Sequence, residues 1–210
     1  MTIHVIGPFH PSDSNIYLLT GSINVLVDTG LGLNPGLLLS SIKSIVSDLD
    51  LIILTHCHVD HVGGLFELMN EFDCRAVAME PDSEHIRQAD SHTLADLFGI
   101  KLKPVHVDSL SDGEVLDLVD HRLRVISTPG HTEGGMCLFD EVTSSLLSGD
   151  TLFVNGVGRT DFPSGSLNKL RSSLALLDEY EFVGLYPGHG EVSKSNGKMC
   201  LAIGMRMVGD

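Results

Sequence analysis

Three imidazoles and a carboxylate fall within six consecutive positions of this chain, in the run His56-Cys57-His58-Val59-Asp60-His61. Neutral imidazole nitrogen and carboxylate oxygen suit zinc, iron and manganese. So dense a polar group directly after the apolar run Leu51-Ile52-Ile53-Leu54 has no packing rationale. Residues at i and i+2 of an extended segment point the same way, so His56 and His58 can bind one ion. Asp60 and His61, one step on, can reach a second. Three more such residues follow apolar runs further along: His131 after Thr128-Pro129-Gly130, Asp150 after Gly149, and His189 after Pro187-Gly188. Glycine and proline in these turns let the backbone bend sharply, so that side chains from separate strands can converge. Alone, His131 or His189 reads as a structural histidine and Asp150 as a turn residue. Together, five histidines and two aspartates make a donor set for two metals sharing one carboxylate. The lack of thiolates in that set argues against a closed structural site.

The elements that must carry these residues are mostly short strands. Apolar runs bounded by Gly, Pro, Ser and Asn predict strands over 3–6, 15–19 and 23–28, then 51–55, 76–79, 114–118, 123–127, 135–139, 145–148 and 182–186. Helical spacing predicts a helix started by Pro35 and running through 37–46, and others over 63–69, 82–98 and 166–177. For the helix over 82–98, Asp82 or Ser83 is the expected N-cap and Gly99 the expected end. Helices are too few for strict βα alternation and hairpins are many. The expected fold class is therefore α/β, with two mostly antiparallel or mixed sheets flanked by helices in a single domain over residues 1–210.

Composition removes several alternatives. A formal charge of −15 with only 13 scattered Lys and Arg argues against nucleic acid, whose phosphates need clustered cations. No stretch approaches the roughly 20 apolar residues of a membrane span, and residues 1–4 show no basic segment leading into an apolar one, so the expected setting is the cytoplasm. Cys57, Cys74, Cys137 and Cys200 form no Cys-x-x-Cys pair, which argues against a disulfide scaffold, a zinc ribbon or a thioredoxin motif. The six remaining histidines, His85 and His92 on the predicted helix and His4, His10, His106 and His121, read as partly solvated flanks.

From Val27-Asp28-Thr29-Gly30 to Pro187-Gly188-His189-Gly190, these residues resemble the metallo-β-lactamase superfamily. The resemblance implies a four-layer αβ/βα sandwich, two mixed β-sheets packed face to face with helices outside. It implies that His56, His58 and His131 bind a first metal, that Asp60, His61 and His189 bind a second, and that Asp150 bridges them. Two divalent ions are then expected, zinc first, with iron or manganese compatible. Asp28 matches the family's strand-end Asp, which supports a ligand histidine from behind. The segment Gly149–Phe153 followed by Gly156-Val157-Gly158-Arg159-Thr160-Asp161-Phe162 looks like the glyoxalase II-type branch, which hydrolyses hydroxyacyl-glutathione thioesters. Class B β-lactamases lack it, and the nucleic-acid-cleaving members carry a large inserted domain. Full-length glyoxalase II enzymes place a helical glutathione-binding domain after the last ligand histidine. Here 21 residues follow His189, so the likeness is to the short members, without that separate domain.

By that resemblance the function is metal-dependent hydrolysis of a small-molecule thioester or ester. Metal binding lowers the pKa of water to about 7. The hydroxide so formed attacks the acyl carbon, and Asp60 can orient it as the catalytic residue. Arg159 is a candidate for gripping a substrate carboxylate, since a guanidinium binds carboxylate bidentately; an internal Arg159–Asp161 ion pair is the other reading. Tyr186 reads as core. Persulfide dioxygenases of the same superfamily share much of this pattern and use one iron at the residues matching His56, His131 and Asp150, so an oxidoreductase is the main rival. A lactonase acting on an oxygen ester is a third reading. A homodimer is compatible with all three.

Overall fold

The computed structural model describes residues 2–209. Most strands carry apolar residues on both faces, and this decides the layering. In the first sheet Thr2–Val5 (β1), Tyr17–Thr20 (β2) and Val25–Val27 (β3) run antiparallel. From β3 the sheet continues in parallel through Leu51–Ile53 (β4), Arg75–Met79 (β5) and Asp108–Leu110 (β6). In the second sheet Val115–Asp117 (β7), Arg122–Ser127 (β8), Met136–Asp140 (β9) and Ser145–Gly149 (β10) form an antiparallel meander. A small hairpin of Leu152–Phe153 (β11) and Gly156–Val157 (β12) follows, and Gly184–Pro187 (β13) then lies parallel to β10.

Alternation along each strand shares its side chains between two cores. Leu18, Leu26, Ile52 and Leu54 meet Leu38 and Ile42 of Pro35–Lys43 (α1) and, beyond the short turn of helix Val59–Val62 (α2), Leu65 and Leu68 of Leu65–Phe72 (α3). Ile86 of Asp82–Gln88 (α4) joins the same core. Their neighbours Tyr17, Leu19, Val25, Val27, Leu51 and Ile53 face the second sheet, against Val125, Met136, Leu138 and Leu147. The far side of that sheet buries Ile126, Cys137, Leu146 and Leu185 under Leu170, Leu174 and Leu177 of Leu167–Leu177 (α5) and Cys200 and Leu201 of Gly197–Val208 (α6). Helices, sheet, sheet, helices: the αβ/βα sandwich of two mixed sheets is present. Among the described residues no helix is long and apolar enough to cross a membrane.

Three expectations need correction. The helix expected over 82–98 ends at Gln88, because Ala89 and Leu94 take left-handed φ of 50° and 58°. The Asp90 carboxylate accepts from the His92 N–H, an alternative to helix continuation, and two 3-10 turns, Ser91–Thr93 and Ala95–Phe98, complete the segment. Asp82 does not cap α4; Pro81 holds the N-cap position and Asp82 is the first helical residue. His121 is no solvated flank, since it is buried on Asp140. The helix α6 and the β11–β12 hairpin are additions to the sequence reading.

Five strands, β3, β4, β8, β10 and β13, run into Asp28, the 56–61 run, His131, Asp150 and His189 respectively. Parallel pairing of β3 with β4 and of β10 with β13 sends those pairs of ends to the same edge of their sheets.

Candidate metal centre

At that edge the side chains converge from both sheets. His56 Nε2 lies 3.1 Å from His58 Nδ1, and His131 Nε2 lies 2.9 Å from the same atom. Ligand atoms about 2.0–2.1 Å from a tetrahedral ion sit roughly 3.3 Å from one another, so three nitrogens at this spacing form one face of such a polyhedron. A second set lies beside the first. His61 Nε2 is 3.4 Å from His189 Nε2, and Asp60 Oδ2 is 3.2 Å from His189 Nε2 and 4.0 Å from His61 Nε2. The Asp150 carboxylate stands between the two sets. Its Oδ2 is 3.5 Å from His131 Nε2 and 3.6 Å from His189 Nε2, while Oδ1 is 3.4 Å from His61 Nε2. The seven residues expected as metal ligands are thus brought together, and a further close group of His56, His61 and Asp150 joins the two sets.

The far side of three rings fixes which nitrogen faces the centre. His61 Nδ1 donates to Asp28 Oδ2 at 2.8 Å, and His131 Nδ1 donates to the Arg159 carbonyl at 2.7 Å. The Thr55 hydroxyl donates to Asp28 Oδ2 at 2.8 Å, which leaves its oxygen to accept from His56 Nδ1 at 3.1 Å. Each of these rings then turns an Nε2 inward, the arrangement by which carboxylates and carbonyls orient metal-binding histidines. Asp28 takes the supporting position expected of it, with a left-handed φ of 62° that aims its carboxylate past the strand end.

Charge reinforces the geometry. Burial, then the neighbouring imidazoles of His61 and His58, push His56 well below the ordinary histidine range. Burial and His131 bring His58 down to about 3. Both rings are therefore neutral near pH 7, with lone pairs free. Burial would raise the Asp150 carboxyl, but His61, His131 and His189 outweigh it and hold it well below the ordinary range. Asp60 is lowered in the same way, burial opposing and His189 and His61 prevailing. His61 moves up, because Asp28 and Asp150 overcome the effect of burial. A cation at its Nε2 would replace a proton held in that same field.

The donor set fits metal on a further observation. Asp150 Oδ1 is buried and has no hydrogen-bond partner among the described residues, a costly state for a carboxylate oxygen that an ion would relieve. At Gly188 a Cβ would collide with Asp150 Oδ1 and His61, so only glycine lets the 187–189 turn come this close.

Several positioning residues escaped the sequence reading. Both Asp82 oxygens accept backbone N–H groups from different ligand loops, Cys57 at 2.9 Å and Gly134 at 2.7 Å, which ties the 56–61 run to the loop after His131. Asn15 Nδ2 donates to the carbonyls of Pro187 and Gly190, both at 2.9 Å, and Tyr17 Oη donates to Pro187 at 2.6 Å, fixing the turn that carries His189. A buried Asn15 leading into an apolar strand is the available signal for that group. Tyr186 lies in the core, edge-on to Tyr17, as expected. Of the two roles weighed for Arg159, the internal pair is formed: Nε and Nη2 each reach an Asp161 oxygen at 2.7 Å. The centre opens into a cavity of about 490 Å³, lined by His58, Asp60, His131, Asp150 and His189 at its base and by Arg159 higher up.

Known proteins are similar to this chain in sequence and fold. A "Probable metallo-hydrolase" of Methanocaldococcus jannaschii is 38% identical over 185 residues, 85% of this chain and 88% of its own. A hydroxyacylglutathione hydrolase of Rhodopseudomonas palustris is 35% identical over 157 residues, covering 72% of this chain and 52% of its own. The crystal structure of TTHA1623 in a di-iron-bound form superposes with a TM-score of 0.76 at 28% identity, over 97% of this chain and 96% of that one. The family model of the metallo-beta-lactamase superfamily matches residues 11–189, a span that contains all seven converging donors, and the chain belongs to that superfamily.

Proposed function

We propose that this chain is a hydrolase that uses two divalent metal ions to cleave a thioester or ester bond of a small molecule. The observation that carries the reading is the pair of donor sets sharing the Asp150 carboxylate at the base of an open cavity. His56, His58 and His131 would hold one ion, Asp60, His61 and His189 the other, and Asp150 would join them. Divalent ions there would supply Lewis acidity and bring the pKa of a bound water to about 7. Asp60, a carboxylate with a partly exposed oxygen beside His189, would accept a hydrogen bond from the attacking water and aim it at the acyl carbon. The Asp28–His61 and Arg159–His131 hydrogen bonds would keep the rings still while charge moves. A thioester suits the site, since its thiolate leaves without a strong general acid. The hydroxyacylglutathione hydrolase relative supports that choice, and four free, buried cysteines support a reducing, cytoplasmic setting.

A one-iron oxygenase would need only His56, His131 and Asp150, whereas Asp60, His61 and His189 are equally assembled here. Persulfide dioxygenases share the 56–61 run, so the assembled donors serve both readings; the Pro187-Gly188-His189-Gly190 ending leans towards hydrolysis. Metal analysis of natively purified protein, with a thioester assay and oxygen uptake on glutathione persulfide, tests the choice. Two ions per chain and thioester cleavage are expected. One iron per chain with oxygen uptake and no cleavage would overturn the proposal.

A further inference from the structure

The walls of the cavity differ in kind from its base. One wall is the 94–98 segment, with Leu94, Leu97 and Phe98; the other is formed by Phe153 and Val157 of the β11–β12 hairpin and by Phe162. Leu97 and Phe98 are 67% and 44% exposed, a large apolar surface to present to water beside polar donors. The segment that presents them is braced. The His85 and His92 rings stack at 3.9 Å, and both reach the Asp90 carboxylate, at 2.8 and 3.3 Å. Ala95 packs with Leu31 and with Val59 of the ligand run itself, which sets the wall in register with the metal donors. Apolar surface also begins at both ends of the centre: the Phe162 ring stands edge-on to His58 at 5.9 Å and Phe153 to His189 at 6.2 Å.

The charges of the cavity favour the same class of ligand. Among the described residues, Arg159 is the only Lys or Arg on its lining. One side of its guanidinium is filled by both Asp161 oxygens, and its face lies 3.8 Å over the Phe162 ring. An anionic substrate group would meet, at Arg159, a cation already paired with Asp161. An alkyl group would instead cover Leu97 and Phe98.

We propose that the cavity is an acyl subsite, and that the substrate is a thioester or ester of an uncharged, apolar acyl group of medium length, with Leu97 and Phe98 setting the chain-length preference. This rests on the hydrolase reading above. In the reaction one water adds to the acyl carbon and the carbon–sulfur bond breaks. The thiolate departs and takes up a proton, giving one carboxylic acid and one thiol.

The test uses the metal-loaded protein and N-acetylcysteamine thioesters of acetyl, butyryl, hexanoyl, octanoyl and succinyl groups, which share a neutral leaving group. The proposal expects kcat/KM to rise by about fourfold per methylene until the chain fills the cavity, and succinyl to fall at least about tenfold below butyryl. Leu97→Ser and Phe98→Ser, both at exposed positions, should reduce the octanoyl-to-acetyl ratio about tenfold each. Rates that are flat or fall with chain length, or a preference for succinyl, would overturn it. Calorimetric binding of acetate, hexanoate and octanoate separates this proposal from the hydrolase reading. If no thioester turns over but binding tightens with chain length and Leu97→Ser removes the trend, the acyl subsite stands and the hydrolase reading falls. Turnover without any chain-length trend in rate or binding leaves the hydrolase reading standing and sinks the subsite.

Discussion

Among the described residues, two buried histidines each turn Nδ1 to a buried aspartate, and only one of them, His61, belongs to the converging donors. His61 Nδ1 meets Asp28 at 2.8 Å and His121 Nδ1 meets Asp140 at 2.7 Å. Both aspartates are satisfied further by local donors: Asp28 by the Thr55 amide and hydroxyl, Asp140 by the Arg122 and Val142 amides and the Thr143 hydroxyl. The difference lies at the opposite nitrogen. His61 Nε2 faces Asp150 and His189, each at 3.4 Å, whereas His121 Nε2 is buried with no partner among the described residues. A carboxylate behind an imidazole orients the ring in both places. Chemistry requires other donors in front, and the strand ends supply them only around His61.

The largest expected effect comes from removing the group the two sets share. Asp150→Ala should abolish turnover and leave fewer than two ions per chain by elemental analysis, while retained turnover would remove the bridging role. Chelation of the wild type should do the same reversibly, with activity returning on addition of a divalent ion. Next is the support behind His61. Asp28→Asn keeps the shape but frees the ring, and metal affinity or activity should fall by about 10–100-fold, measured by competition with a chromogenic chelator.

The corresponding change at the other pair should separate stability from function. His121→Ala leaves the Asp140 carboxylate buried without its imidazole and should lower unfolding stability by about 2–3 kcal/mol in urea titration. Metal content and kcat/KM of the folded protein should stay at wild-type values. A loss of metal there would break the comparison. The smallest effect is a pH dependence. Burial opposes ionisation of Asp140, but the His121, Thr143, Arg122 and Val142 hydrogen bonds prevail and lower its carboxyl below the usual 3.8. A lowered carboxyl contributes stability that is complete above the unfolded value and is lost as pH falls through the folded one. Unfolding curves of the wild type should therefore lose stability below about pH 3.8 more steeply than those of Asp140→Asn.

The contrast also explains what the sequence could disclose. The donors around His61 were legible because residue type, close spacing and strand-end position coincide in four separate places. Asp120-His121 carries no such coincidence, and its burial comes from the β8–β9 pairing that brings Asp140 alongside. The layering was legible in the apolar strands. The break after Gln88 was not, because neither glycine nor proline marks Ala89 or Leu94, although both take left-handed φ; the segment beyond is held by the Asp90 bond to His92 and by Ala95 packing on Leu31 and Val59. Asp82 escaped for a related reason, since its two partners lie 25 and 52 residues away. The helix α6 did leave a signal in the helical spacing of Cys200, Leu201, Gly204 and Val208, all buried.

On the proposed function, seven residues form one centre for two ions with Asp150 between them. Anomalous diffraction from crystals grown with zinc or manganese tests it most directly. Two peaks per chain are predicted, roughly 3.5–4 Å apart as in two-metal sites, one against His56, His58 and His131, the other against Asp60, His61 and His189, with the Asp150 carboxylate touching both. A single peak at saturating metal, or two peaks with Asp150 bound to only one, would contradict the account.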